Sequence, residues 1–235
     1  MIGAVATLLV LLASPEPVPD ELLKKLADRD ARLTRLYKEG AVTMTSRVEE
    51  LDKGGKVQHT QTVVLRLTQK DGKPHGEVVR ASRDGQDVTE EERKTQAEKQ
   101  ARADEDPKGK KDGRMSMTLP FDAATQPKYQ FQLLGPDAKN PSLSRIGFGP
   151  RGKPDKDIWA GEAVVDPSSG EVKWMKQRPS DLPAFVDRLE MVFEFGASTS
   201  EGPAISTLQM EGEGGLPFFK KKFRVMTTFS DYGPK

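Results

Sequence analysis

The sequence predicts an α+β fold that is mainly antiparallel β: a single strongly curved sheet, an incomplete barrel of about 9–11 strands, with an N-terminal amphipathic helix and a helical insert. Three observations lead to this prediction. Short runs alternate apolar and polar residues between glycine-containing turns, one early segment repeats its leucines with a helical period, and one mid-chain stretch is almost purely polar. A large sheet with one apolar face must curl, so we expect a concave apolar side.

The chain begins with an apolar run at residues 2–13, which is too short to cross a bilayer as a helix of about twenty residues. The run fits the hydrophobic region of a secretory signal peptide, although no lysine or arginine precedes it. A buried core helix is the alternative, but a Pro-Glu-Pro stretch at 15–17 separates the run from the next segment of the chain. We therefore expect a signal peptide and proline-rich joint at 1–18, one domain at 19–235, and no transmembrane segment in the mature chain.

An amphipathic helix of about twenty residues is predicted between Asp20, which can cap its start, and Gly40, which can end it. Its apolar side chains recur on one face at helical spacing: Leu22, Leu26, Leu33 and Tyr37. Charged residues occupy much of the remaining surface. The helix therefore needs an apolar surface to pack on, and the sheet is expected to supply it.

The strands are predicted from runs whose hydrophobic period is two. The first three runs lie at 42–48, 57–67 and 77–81. Gly54-Gly55 and Asp71-Gly72 stand between them as hairpin turns. Later runs lie at 129–133, 145–148, 158–165, 171–176, 185–195, 208–213 and 223–229. The result is a long series of antiparallel hairpins.

The stretch Asp-Pro-Ser-Ser-Gly at 166–170 is predicted to be one of the hairpin turns, in which proline presets φ and Gly170 supplies a positive φ. The segment 86–113 interrupts the series of strands. Thr89 and Glu92 have capping-box spacing, so a helix is predicted to begin there, but alanines are its only hydrophobic residues. We expect a solvated helical insert, with a lid over a ligand as the alternative.

Composition excludes several classes of function. The chain has no cysteine, so it has no disulfide, no thiolate zinc site and no cysteine nucleophile, and it cannot carry a lipid on an N-terminal cysteine. Its 37 basic and 36 acidic residues nearly cancel, so no overall field attracts nucleic acid. Nucleic-acid-binding signatures are absent from the sequence as well. We expect no nucleic-acid partner.

No catalytic constellation stands out in the sequence. The only histidines, His59 and His75, have no carboxylate at the spacing of metal ligands. A GxGxxG match at 147–152 is interrupted by prolines where a helix should open. We therefore expect a protein that is not an enzyme and that uses no cofactor and no metal, with a hydrolase of unrecognised site as a minor alternative.

The order of these parts resembles the LolA-like superfamily, which includes the LolA and LolB lipoprotein carriers and the N-terminal domain of the RseB regulators. The matching features are the apolar leader, the leading helix, the meander with glycine-rich turns and the mid-chain helical insert. The segment GEAVVDPSSGEVKWMK at 161–176 and the ending FFKKKFRVMTTFSDY at 218–232 also look like segments of secreted bacterial members.

The resemblance implies an apolar concavity that accepts acyl chains. Its lining here would come from residues of the apolar face of the helix and strands: Leu26, Leu33, Met44, Val63, Leu65, Phe131, Leu133, Leu189, Met191, Phe193 and Phe195. Methionine and phenylalanine suit an acyl ligand because they repack easily. The same residues would also form a filled core, so alternation alone does not decide between a cavity and a core.

On this basis we expect a soluble, exported periplasmic protein that binds a lipid or the acyl chain of a lipoprotein. The alternative is a non-enzymatic module for protein interaction or envelope sensing, like RseB, with another envelope protein as its partner and the charged insert as its docking element. A lipid-anchored receptor like LolB is disfavoured, because the chain has no cysteine to carry the anchor.

Overall fold

The chain forms one antiparallel sheet of twelve strands with two helices against it, as a computed structural model shows for residues 16–70, 73–105, 119–155, 157–182, 184–216 and 219–233. The predicted signal peptide up to residue 15, the turn at Asp71-Gly72 and the part of the insert after residue 105 lie outside the described residues. The predicted α+β class with an open, incomplete barrel is confirmed.

The helices are α1 (Asp20–Glu39) and α2 (Thr89–Glu105), and a 3-10 turn spans Gln126–Lys128. The strands are β1 (Glu16–Pro17), β2 (Ala41–Leu51), β3 (Val57–Lys70), β4 (Lys73–Arg83), β5 (Gln86–Asp87), β6 (Tyr129–Pro136), β7 (Ser144–Pro150), β8 (Trp159–Val165), β9 (Val172–Pro179), β10 (Val186–Ala197), β11 (Ala204–Leu216) and β12 (Phe219–Gly233). Ten of these strands have seven residues or more, which is the number that the alternating runs predict.

The sheet runs in the order β1-β6-β7-β8-β9-β10-β11-β12-β2-β3-β4-β5. The last strand, β12, pairs with β2, which is the first long strand of the chain. This pairing joins the hairpins β2–β4 to the hairpins β6–β12 in one continuous sheet. The short strands β1 and β5 lie at the two free edges and each pair for only two residues. Short edge strands leave little backbone free for pairing with another chain.

Cross-strand pairs show which side chains share the face that α1 covers. Directly opposed residues point to the same face of a sheet. One row of such pairs runs across six strands: Phe193, Leu208, Thr227, Ser46, Val63 and Ala81. Phe193 is fully buried in the core that includes the leucines of α1. The whole row therefore lies on that covered, concave face.

Helix α1 buries the predicted leucines, with Leu22, Leu26 and Leu33 all less than a tenth exposed. The start of the helix differs from the prediction, because Asp20 is its first residue and makes no capping bond. Instead the carbonyl of Pro19 accepts hydrogen bonds from the next turn. Gly40 ends the helix as predicted, but with an ordinary extended φ of −93°. It is needed for space, since a Cβ there would lie 2.7 Å from the carbonyl oxygen of Leu36.

Helix α2 begins at Thr89, but the predicted capping box does not form. The hydroxyl of Thr89 accepts a bond from the amide of Ala81 on β4 at 2.9 Å, and Glu92 accepts one from Gln61 on β3 at 3.1 Å. The carboxylate of Asp87 accepts the bond from the amide of Thr89 instead, at 2.8 Å. Contacts with the sheet have thus replaced the local pairing that the sequence pattern predicts.

The hydrophobic core lies between α1 and strands β6 to β11. It contains Phe193, Met175 and Ile146, all fully buried. Gln177 is a buried polar residue on β9: it is 5% exposed, and its Oε1 is the buried side-chain atom without a hydrogen-bond partner in the described part of the chain. Phe185, predicted to share the apolar face of β10, instead precedes that strand with φ of 68° and is 67% exposed.

Candidate ligand-binding site

A pocket of about 570 Å³ lies under the C-terminal half of α1, on the concave side of the sheet. Its wall comes from α1, from the ends of β2, β3 and β12, from the start of β11 and from the loop between α2 and β6. The lining residues are Asp30, Thr34, Tyr37, Lys38, Gly40, Val42, Leu67, Thr68, Gln69, Leu119, Asp122, Ile205, Phe229 and Tyr232. A pocket of this size, with apolar walls and a few polar groups, is typical of small-molecule sites.

Two tyrosines and one backbone unit form a rigid side of the pocket. The hydroxyl of Tyr37 accepts a hydrogen bond from the amide of Ile205 at 3.2 Å, and the hydroxyl of Tyr232 donates to the carbonyl of Ile205 at 2.7 Å. The centroids of the two rings are 6.1 Å apart. Burial raises the pKa of both tyrosines above the ordinary value of 10.0. They therefore stay neutral and hold the end of α1 against the start of β11.

The apolar wall of the pocket continues along the concave face. Val42 pairs with Leu67, and one residue pair further along, Met44 lies between Phe229 and Leu65. All five side chains are half-buried. The buried core cluster does not include Val42, Leu67, Met44 or Leu65. This stretch of the concave face is therefore apolar but incompletely covered by protein.

Asp30 places a carboxyl group in the wall of the pocket. The residue lines the pocket from α1 and is only 7% exposed. Burial, together with the nearby charge of Asp122, raises the pKa of Asp30 from 3.8 to about 6, although a hydrogen bond with Thr34 acts in the opposite direction. No salt bridge to Asp30 is found among the described residues.

Asp122 approaches the pocket from the loop before the 3-10 turn. One of its carboxylate oxygens accepts a bond from the amide of Thr125 at 3.2 Å, which fixes the turn. The loop is held to α1 by Gln126, whose amide donates to the carbonyl of Leu23 at 2.9 Å. The fold therefore positions the second carboxylate near Asp30 through a loop that is tied to the same helix.

Arg29 anchors the middle of α1 to the segment that precedes β11. It is 2% exposed, and its Nη2 donates to the carbonyl of Pro203 at 2.7 Å. Burial lowers the pKa of this guanidinium below its ordinary value. The neighbouring Gly202 leaves room for it, since a Cβ there would lie 3.0 Å from Nη2. Arg29 and Asp30 are thus consecutive charged residues that face different surroundings.

The predicted site residues fall into two groups in the structure. Five of them are buried in the core cluster: Leu26, Leu33, Met191, Phe193 and Phe195. The other six are half-buried: Met44, Val63, Leu65, Phe131, Leu133 and Leu189. None of the eleven lines the pocket itself, although Met44 and Leu65 are next to it along their strands. Their role in ligand binding stays a prediction.

The polar residues of the pocket were not among the predicted site residues. Asp30 occupies a helical position on the border of the leucine stripe, and Asp122 lies in a loop without periodicity. A carboxylate at the edge of an apolar stripe is the one signal in the sequence that points to Asp30. Nothing in the sequence brings residues 30 and 122 together.

Other features of the described residues offer less to a ligand. A second depression of about 620 Å³ lies at the C-terminal end of α1, and its lining includes the charged residues Arg35, Glu39 and Glu201. His59 forms a bond of 2.9 Å with Asp84, and both side chains are exposed. Within the described ranges there is no group of three or more potential metal ligands. No helix in those ranges is long and apolar enough to span a membrane.

None of the known protein-family models matches the chain, and no curated protein matches it. Solved structures give distant similarities. A DUF1329 family protein from Desulfovibrio piger is 11% identical, with 89% of this chain and 91% of that chain covered and a TM-score of 0.41.

Two further structures contain MucB. MucB in complex with MucA(peri) is 11% identical, with 87% of this chain and 94% of that chain covered. The Pseudomonas aeruginosa MucA/MucB complex is 12% identical, with 88% and 99% covered, and both TM-scores are 0.24. Such values describe a distant likeness, and they transfer neither an activity nor a partner to this chain.

Proposed function

We propose that this chain is a non-enzymatic protein of the bacterial envelope that binds the acyl chain of a lipid or lipoprotein on the concave face of its sheet. The observation that carries the proposal is the incompletely covered apolar stretch next to the pocket under α1. The sequence resemblance to LolA-like carriers and the predicted signal peptide support a periplasmic place for this function.

The energetics of the concave face favour an apolar occupant. The half-buried side chains at Met44, Val63 and Leu65 leave apolar area in contact with water. Covering such area contributes about 25 cal/mol per Å², and each buried methylene of a ligand contributes about 0.8 kcal/mol before entropic losses. An acyl chain can cover this apolar surface without loss of hydrogen bonds, because it has no polar groups along its length.

The residues that we assign to ligand binding come partly from the sequence prediction and partly from the lining of the pocket. Met44, Val63 and Leu65 would contact the chain along the strands, and Val42, Leu67 and Phe229 would contact it at the pocket. The five buried members of the predicted set would act as the packed wall behind it. This wall is rigid, whereas Met44 and Phe229 can change rotamer to follow a flexible chain.

A protein-interaction or sensing module is the second candidate, and helix α2 favours it. This helix has almost no apolar side chains and is attached to β4 by polar contacts such as that of Arg93 Nε with the carbonyl of Val78 at 3.0 Å. A helix held in this way is available for exchange with a partner. Failure of the wild-type protein to bind acyl chains would favour this second function.

The first test compares one substitution on the two faces of the sheet. Met44→Gln places an amide between Phe229 and Leu65 on the concave face. Burying it against an acyl chain costs about 1–2 kcal/mol, so a titration with a fluorescent fatty acid is expected to show roughly tenfold weaker binding. Met226→Gln is the matched control, because Met226 lies on the opposite face and is 43% exposed.

The control should bind the fatty acid as the wild-type protein does. Circular dichroism of both variants checks that the fold is retained. Equal affinities of the two variants would place any acyl binding elsewhere than on the concave face, and would remove the basis of the proposed function.

A further inference from the structure

The pocket under α1 is lined by two carboxyl groups and by several apolar side chains. Asp30 and Asp122 carry the carboxyl groups, and Asp30 is more than nine-tenths buried. Phe229, Leu67 and Val42 are apolar lining residues on strands that continue along the concave face. A ligand that extends from the concave face into the pocket would therefore bring one terminus to the two carboxyl groups.

The charged groups around Asp30 do not neutralise it. From α1 the pocket receives Thr34, Tyr37 and Lys38, and from the other elements it receives Asp122, Gln69 and Tyr232. Lys38 is the cation among these lining residues, but it is exposed, so water screens its charge. Thr34 gives Asp30 a hydrogen bond without a counter-charge. Two carboxyl groups that line the same partly apolar pocket repel each other unless a cation or a proton reduces their charge.

We propose that the pocket selects ligands that carry an ammonium group, which is held between the carboxylates of Asp30 and Asp122 while the apolar part of the ligand lies against Phe229 and Leu67. The class of ligand is an amine-bearing amphiphile. This inference rests on the proposed function, because it assigns the head group of the same apolar ligand.

The hydrogen-bonding capacity of the two carboxyl groups supports this assignment. An ammonium group donates three hydrogen bonds, and each carboxylate has an oxygen free to accept one, since Thr125 and Thr34 account for one bond each. Charge-assisted bonds of this kind are stronger than neutral ones, more so in a site that is largely shielded from water. An anionic head group would instead meet two like charges.

The experiment compares three amphiphiles with the same ten-carbon chain: decylamine, decanol and decanoate. Each is tested for displacement of a fluorescent fatty acid from the protein at pH 7.5, where the amine is cationic and Asp30, with a pKa of about 6, is ionised. The wild-type protein is expected to bind decylamine at least tenfold more tightly than decanol, and decanoate more weakly than either. The preference for the amine should decline as the pH falls below about 6, as Asp30 takes up a proton.

Asparagine variants assign the preference to the pocket. Asp30→Asn and Asp122→Asn each keep the side-chain acceptor for the local hydrogen bond, and each is expected to reduce the ratio of the affinities for decylamine and decanol several-fold. Asp28→Asn is the control, because Asp28 is an exposed residue of the same helix. It should leave all three affinities as they are.

The outcomes separate this inference from the proposed function. If decanol and decanoate bind but decylamine has no advantage, acyl binding stands and the amine site is wrong. An advantage that persists in a variant with both asparagines would also overturn it, since the amine would then bind elsewhere. If the fluorescent fatty acid itself does not bind the wild-type protein, both the inference and the proposed function fail. If it binds but none of the three amphiphiles displaces it, the amine site is wrong.

Discussion

Asp30→Asn is expected to stabilise the protein at neutral pH by up to about 3 kcal/mol, although it replaces a buried residue. The carboxyl group of Asp30 is buried beside Asp122, and its pKa lies at about 6 rather than 3.8. Keeping it ionised in the folded protein therefore has a cost, and the difference between the two pKa values corresponds to about 3 kcal/mol. An asparagine keeps the shape and the acceptor but removes the charge.

The direction of the pKa shift determines how this cost depends on pH. Below pH 3.8 the group is protonated in both the folded and the unfolded chain, so it contributes no penalty. As the pH rises from 3.8 to about 6, the unfolded chain releases its proton while the folded protein retains it, and the stability falls. Above pH 6 the full penalty is present.

Chemical denaturation of the wild-type protein and the variant between pH 3.5 and 7.5 checks this prediction. The difference in the free energy of unfolding should be near zero at pH 3.5 and largest above pH 6. Using the difference cancels the opposite trend from aspartates such as Asp84 and Asp166, whose pKa values are lowered by hydrogen bonds. A constant difference across this range would show that Asp30 does not titrate in a buried site.

Gly170→Ala is expected to destabilise the protein by about 3–4 kcal/mol. Gly170 closes the turn between β8 and β9 with φ of 72°, which agrees with the sequence prediction. A positive φ costs alanine about 1–2 kcal/mol. A Cβ at this position would also lie 2.6 Å from the carbonyl carbon of Lys25 and 2.7 Å from its oxygen, both on the backbone of α1. The helix would have to move off the turn, which adds the cost of overpacking.

Gly55→Ala separates the two contributions. Gly55 also has a positive φ, 84°, in the turn between β2 and β3, but nothing lies within 4 Å of a Cβ there. Its substitution should cost about 1 kcal/mol, the conformational part alone. Thermal and urea unfolding of both variants measures the difference. Equal losses of stability would mean that α1 does not rest on the turn at Gly170.

The sequence predicts the sheet well because each strand carries its own local signal. The alternation at 57–67 and the glycines at 54 and 55 define a hairpin without reference to the rest of the chain. The same holds for α1, whose leucine stripe requires a partner surface. Phe185 shows the limit of this reasoning. Its position in the alternation matches the apolar residues of β10, but its backbone turns away there. Its carbonyl accepts a hydrogen bond of 2.7 Å from the amide of Gly215.

The pocket could not be predicted, because it depends on contacts between distant parts of the chain. Ile205 meets Tyr37 only after β11 has been placed beside β12, and Asp122 approaches Asp30 only through a loop on the C-terminal side of the insert. Alternation identifies apolar positions, but it does not show how much of each side chain another element covers. Phe193 and Val63 share a row and a predicted role, yet one is fully buried and the other is half-buried.

The most direct test of acyl binding is mass spectrometry of an organic extract from the mature protein, purified from a periplasmic fraction without detergent. The proposed function predicts a phospholipid, fatty acid or other acyl compound in the extract at close to one molecule per protein chain, and less of it from Met44→Gln than from Met226→Gln. A clean extract, unchanged after the purified protein has been incubated with lipid vesicles, would contradict the proposal, because the concave face would then be closed to acyl chains.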